Sequence, residues 1–316
     1  MTEQELKQYK EWGLHLIPLL DGTKIPASKK FWIKQKGNGK LIPEWCWKKN
    51  PETKEFIDWS DEELLEAKRV GINHEACSLI DVDCDAVEGS QFMSEFPDTL
   101  TIGKKVDGST YIRKKIYFYD GLTEHKSFGK DTEHGSVIEN LAHTQSYCFG
   151  GDRIILNNVK PITLSDEQYK RLKESVREVY ALTMLTKYYP KKDTFRDKFS
   201  MAVTGTLLRE TNWTSDHVKD FQTKLCNAVG DRAVKKRLEK VDRFKNNLND
   251  LEKSVYGVQK LTELCGADKK IGLDFIDAIK PEDSSKKGDL KPLVTFGLGE
   301  FIKRDYPPIK IGRAHV

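Results

Sequence analysis

Short apolar runs bounded by turn residues fill the first half of the chain, and apolar stripes at helical spacing fill the second, with the change near Ser165. Residues 3–12 have helix-forming composition and lead into an apolar run at 13–20, short enough for a strand and closed by an Asp21-Gly22 turn. Ser60 followed by Glu63 is a capping-box pattern. It predicts a helix ending near Arg69, after which Val70-Gly71-Ile72-Asn73 turns the chain into a strand at 78–85. A short helix at 87–96 follows, closed by Pro97. Strands are then expected at 100–102 and 111–119, joined around Asp107-Gly108, and again at 136–139 and 145–151. In the strand at 111–119, Arg113 and Lys115 fall on one face and Ile112, Lys114 and Ile116 on the other. The first half therefore reads as an α+β domain ending near residue 164.

Downstream, Ser165 and Gln168 cap a long helix to about Tyr189, where Pro190 breaks it. Further helices are expected at 197–210, 215–229, 231–251 and 256–264; in the second, Val218, Phe221, Leu225 and Val229 form an apolar stripe that reads as core. Residues 281–291, rich in Ser, Lys and Asp, read as a linker.

Composition changes this picture little. A length of 316 residues suits about two domains, and a net charge of +4 with 32% charged residues does not itself demand a nucleic-acid partner. The distribution is more informative: Lys104, Lys105, Arg113, Lys114, Lys115, Lys126 and Lys130 crowd a stretch with only Asp107, Asp120 and Glu124 against them. The six cysteines are scattered without Cys-x-x-Cys spacing and read as reduced thiols. With a polar N-terminus and no apolar span of membrane length, the expectation is a soluble cytoplasmic protein with no membrane partner.

Candidate chemistry centres on Ile80-Asp81-Val82-Asp83-Cys84-Asp85. In a strand, Asp81, Asp83 and Asp85 project to one side while Ile80, Val82 and Cys84 face a core. Three adjacent carboxylates repel unless a cation offsets them, which points to a divalent metal held by oxygen ligands. The other reading is a strand end running into an acidic loop. Lys29, Lys30, Phe31, Trp32, Lys34, Lys36, Trp45 and Trp47 likewise suit either a phosphate backbone with stacked bases or aromatics anchoring a long loop.

Taken in order, these motifs resemble the archaeo-eukaryotic primase superfamily, and within it the primase-polymerases of phages and plasmids. The resemblance rests on Leu16-Ile17-Pro18-Leu19 with Lys24 and Pro26, Val70-Gly71-Ile72-Asn73, Ile80-Asp81-Val82-Asp83, and Glu139 followed by Gln145 and Gly150-Gly151. It covers roughly the first 165 residues. It implies a primase-polymerase catalytic domain at 1–164, with a mixed or antiparallel sheet and an RRM-like core, followed by a small all-α domain at 165–280. Arg196 to Glu210 and Asn212-Trp213-Thr214 are similar to the helical domains that follow such primases. Residues 296–310 resemble the lead-in to a RecA-type helicase domain, so 281–310 reads as a linker and truncated helicase start. Residues 311–316 read as a sequencing-adapter artefact, which makes the record a truncated fragment.

By the resemblance, Asp81, Asp83 and Glu139 are the catalytic metal ligands of a two-metal Mg²⁺ or Mn²⁺ site, and Lys115, Arg113, Ser109 and Lys24 contact the nucleotide. The partners implied are a single-stranded DNA template, nucleoside triphosphates and a helicase domain in the complete protein, in the cytoplasm of a bacterial host. The middle motif departs from the family, with Lys115 where the family has His. Lysine contacts a triphosphate as a cation but does not titrate near neutrality as an unperturbed imidazole does. Two alternatives therefore stand: a catalytically inactive module that binds single-stranded nucleic acid, and another Asp-x-Asp metal enzyme, a nuclease or nucleotide-sugar transferase. The reading requires Glu139 beside Asp81 and Asp83, with Lys115 facing the same cleft.

Overall fold

The computed structural model describes residues 1–22, 32–34, 41–43, 55–56, 58–123, 126–131, 135–142, 145–247, 257–265 and 279. These all lie within one compact unit, Met1–Ile279. The fold is α+β, and every described sheet ladder is antiparallel.

Helix α1 (Glu3–Glu11) begins at Thr2, whose side chain and that of Glu5 form a capping box. It leads into β1 (Leu16–Leu19); β2 (Trp32–Lys34) and β3 (Leu41–Pro43) pair as a hairpin inside the stretch expected to be loop. The Ser60 capping box is present, but α2 (Asp61–Glu66) is short and the chain is extended by Ala67. Val70 to Asn73 is no turn: β4 (Arg69–Asn73) is the middle strand of a three-stranded sheet in the order β1, β4, β10 (Gln145–Gly150). Gly71 has a packing reason rather than a turning one, since a Cβ there would lie 2.8 Å from the Ser146 carbonyl oxygen.

The larger sheet has six strands in the order β11 (Arg153–Asn157), β6 (Leu100–Val106), β7 (Ser109–Phe118), β5 (Leu79–Cys84), β9 (Gly135–Ala142), β8 (Lys126–Asp131). β6 and β7 are joined by Asp107 and Gly108, both with positive φ (48° and 78°), as a two-residue hairpin turn of the primed kind requires. The helix expected at 87–96 is broken into α3 (Val87–Ser90) and a 3₁₀ turn at Met93–Glu95.

Both faces of the six-stranded sheet are covered. Leu79, Leu100, Ile102 and Ile116 pack with the three-stranded sheet, α1 and α2. Ile80, Val82, Cys84, Tyr117 and Ile138 pack with the helices that follow Ser165, so the change from strands to helices falls inside one compact unit. Those helices are α4 (Asp166–Tyr188), α5 (Asp193–Glu210), α6 (Ser215–Ala228), α7 (Val234–Asn247) and α8 (Val258–Leu264), with Ser165 and Gln168 forming the expected capping box. Val218, Phe221 and Leu225 of α6 are fully buried, each worth about 1.5–3 kcal/mol of transfer free energy. Gly89 of α3 seats against α4: a Cβ there would run into Cys84 Sγ and lie 2.9 Å from Thr183 Oγ1. Gly89→Ala is expected to lower stability by about 1–3 kcal/mol, as overpacking does, measured by urea denaturation.

The five described cysteines are free thiols. No helix among the described residues is long and apolar enough to cross a membrane.

Candidate functional site

Alternation along β5 sends Ile80, Val82 and Cys84 to the helices, and Asp81 and Asp83 with Leu79 toward the three-stranded sheet. Directly opposed residues of an antiparallel ladder share a face. Lys114 stands opposite Asp83 and Ile116 opposite Asp81 on β7, and Glu139 stands opposite Asp83 on β9. The aspartates thus lie between two layers, with Asp81 0% and Asp83 2% exposed.

Burying two carboxylates side by side costs several kcal/mol per ion unless countercharge accompanies them. Lys114, itself 1% exposed, supplies it. Its Nζ donates to Asp81 Oδ2 at 3.1 Å, to Asp83 Oδ2 at 2.5 Å and to Ser146 Oγ at 3.3 Å. Burial disfavours the ammonium, but the carboxylates of Asp81 and Asp83 outweigh it and hold the lysine above its ordinary pKa. From the three-stranded sheet, Ser146 also donates to Asp81 Oδ2, and His74 Nε2 lies 3.8 Å from the same oxygen.

A β-bulge completes the arrangement. Ile102 of β6 faces Lys114 but Gly103 faces Ile112, so Arg113 is an extra residue in β7. Its guanidinium turns to the acidic strand, pairing with Asp85 and lying 3.6 Å from Asp83 Oδ1. Burial lowers the Arg113 pKa, with Asp83 acting against that. Asp85 lies just past the end of β5. Glu139 is half-buried and accepts a hydrogen bond from Ser127 Oγ at 2.8 Å.

The register therefore puts Asp81, Asp83 and Glu139 on one sheet face, with Arg113 beside Asp83 and Asp85, and leaves Lys115 out. Lys115 stands opposite Val82 on the helix side, where Nζ donates to the carbonyls of Phe96 (2.8 Å) and Pro97 (3.3 Å) and lies 3.4 Å from Asp98 Oδ1. Glu139 shares the sheet face of the aspartates but Lys115 does not, because neighbouring residues of a strand point to opposite faces. Ser109 opens β7 at the exposed hairpin tip, roughly 15 Å along the strand from Lys114. Lys24 lies outside the described residues, as does most of the basic and aromatic stretch. Lys115→Met is expected to lower stability by about 1–3 kcal/mol through its orphaned carbonyls, while nucleotide affinity stays within twofold of wild type in a titration.

The donor chemistry suits a hard divalent ion. The ligands are carboxylate oxygens, and Asp81 Oδ1 is buried with no hydrogen-bond partner among the described residues. Asp81, Asp83, Asp85 and Glu139 carry four negative charges, of which Lys114 and Arg113 return two. As arranged, however, the ammonium of Lys114 takes the place between the aspartates, and among the described residues no three His, Cys, Asp or Glu side chains form a group that could hold a metal ion.

Sequence reasoning missed Lys114, Ser146 and His74. Lys114 had a signal, a lysine between Ile112 and Ile116 on an otherwise apolar face; Ser146 comes from the other sheet and His74 from the turn after β4, and neither had one.

No protein-family model matches the chain, and no curated protein matches it.

Proposed function

We propose that the chain is a template-directed nucleotidyl transferase of the primase-polymerase type. One observation carries the reading: three carboxylates from two stretches more than fifty residues apart, Asp81, Asp83 and Glu139, share one sheet face through the β5–β9 register, beside Arg113. Asp81, Asp83 and Glu139 would hold Mg²⁺ or Mn²⁺, which when bound supplies Lewis acidity at the triphosphate and an activated primer hydroxyl. Arg113 carries positive charge at the edge of the cluster, where a leaving pyrophosphate gathers negative charge. The buried sheet fixes the carboxylates on a rigid element, which phosphoryl transfer needs because its catalysis is mostly positioning and electrostatics. The reading includes an RRM-like core, single-stranded DNA as template, nucleoside triphosphates as substrates, a helicase domain as partner in phage or plasmid replication, and the bacterial host cytoplasm as location.

The position of Lys114 between the aspartates favours a second reading, a replication module that binds single-stranded nucleic acid without chemistry. Primer synthesis and extension on single-stranded DNA, with Mg²⁺ or Mn²⁺ and either NTPs or dNTPs, separates the two. Extension that depends on the metal supports the transferase. DNA binding of equal strength with and without metal, and no extension, leaves the module.

A further inference from the structure

The Gly150-Gly151 turn that joins the two sheets is not used by the carboxylate cluster. Both residues have positive φ (81° and 58°), a conformation that strongly favours glycine. A Cβ on Gly151 would run into the Tyr147 hydroxyl and lie 3.2 Å from Arg69 Nε. Two arginines flank the same tyrosine ring: Cζ of Arg69 lies 4.9 Å and Cζ of Arg153 5.1 Å from its centre.

Their hydrogen bonding is incomplete. Nε of Arg69 and Nε and Nη1 of Arg153 are buried with no hydrogen-bond partner among the described residues. The nearby carboxylates engage them only loosely: Asp21 Oδ1 is 3.4 Å from Arg69 Nε, and Asp152 is shared between Arg153 and Lys104, the latter at 3.5 Å. Buried guanidinium donors without acceptors are costly, and a tetrahedral oxyanion matches their planar fork.

We infer that Arg69 and Arg153, on either side of Tyr147 beside the Gly150-Gly151 turn, form a site that takes a phosphate chain. The inference rests on the nucleotide reading above for the kind of molecule that brings the phosphate, either a triphosphate tail or the backbone of a DNA strand. The arginines themselves recognise the shared oxyanion.

Isothermal titration in EDTA with two probes, inorganic triphosphate and oligothymidylate, tests the site on the full chain. Arg153→Gln is expected to weaken binding at least tenfold, and Arg153→Lys to recover only part of that loss, because an ammonium restores charge but not the fork. Loss confined to triphosphate identifies a nucleotide tail; loss confined to the oligonucleotide identifies a strand. Wild type that binds neither probe, or binding equal in wild type, Arg153→Gln and Arg69→Gln, overturns the site. Arg69→Gln, on the other sheet, carries the test if Arg153→Gln does not fold. Because metal is withheld, intact triphosphate binding without primer extension counts against the transferase and not against this site.

Discussion

Lys114→Met unfolds about 3–5 kcal/mol more easily than wild type in urea, the loss typical of removing one partner from a buried ion pair. Two carboxylates, 0% and 2% exposed, then stand side by side at alternate β5 positions with Ser146 as the remaining direct donor to Asp81. Divalent cation added to this variant returns part of the loss, about 2.7 kcal/mol when its concentration is a hundred times its dissociation constant. In wild type the ammonium competes for the same oxygens, so the gain is smaller. The pH dependence follows the sign of the shift. The Lys114 pKa is raised on folding, so its stabilisation is complete below the ordinary lysine value of 10.5 and fades only as pH climbs through the raised one. Equal midpoints for Lys114→Met and wild type would show that the aspartates do not need the ammonium. Adding Asp81→Asn and Asp83→Asn to Lys114→Met is expected to recover much of the loss, because the uncompensated charges leave together.

Asp81→Asn combined with Asp83→Asn lowers metal-dependent primer extension on the order of 10²–10³-fold, the rate equivalent of several kcal/mol of charge stabilisation. Binding of single-stranded DNA is expected to persist, since the neutral amides remove no cation. Glu139→Gln has a smaller effect, because Glu139 is half-buried and shares its carboxylate with Ser127. The comparison must be made on folded protein, as the asparagines leave Lys114 without its counterions. Extension that survives the double substitution would remove the aspartates from the chemistry and with them the transferase reading.

Much of the frame was legible in local signals. The capping pairs Ser60/Glu63 and Ser165/Gln168 start helices because each satisfies backbone donors within a single turn. Alternation along β5 told correctly that Asp81 and Asp83 share a face, since the period of two depends on nothing outside the strand. What was lost depended on partners. Gly71 and Asn73 suggested a turn, yet the glycine is there to let the Ser146 backbone come close. The single extra residue at Arg113 cannot be seen without its neighbour β6, and it turns Arg113 to the acidic side that Lys114 already occupies. Lys115 is one position from Lys114 and therefore on the wrong side, where it ties down the Phe96-Pro97 segment. β8 escaped notice because a short strand with Lys126, Lys130 and Asp131 among its six residues resembles a loop until it is paired.

The hydroxyl of Ser146, reaching from one sheet to Asp81 and Lys114 on the other, has an implication for how this protein can be engineered. The charge cluster also works as a rivet between the layers, and it is an inefficient one: well-packed apolar replacements for buried ion groups are often neutral or gain about 1–4 kcal/mol. A screen that rewards heat tolerance alone would therefore drift toward greasy side chains at 81, 83 and 114, and would discard whatever chemistry the carboxylates perform. Thermostabilised libraries of this chain need a simultaneous selection on primer extension, or these three positions held constant.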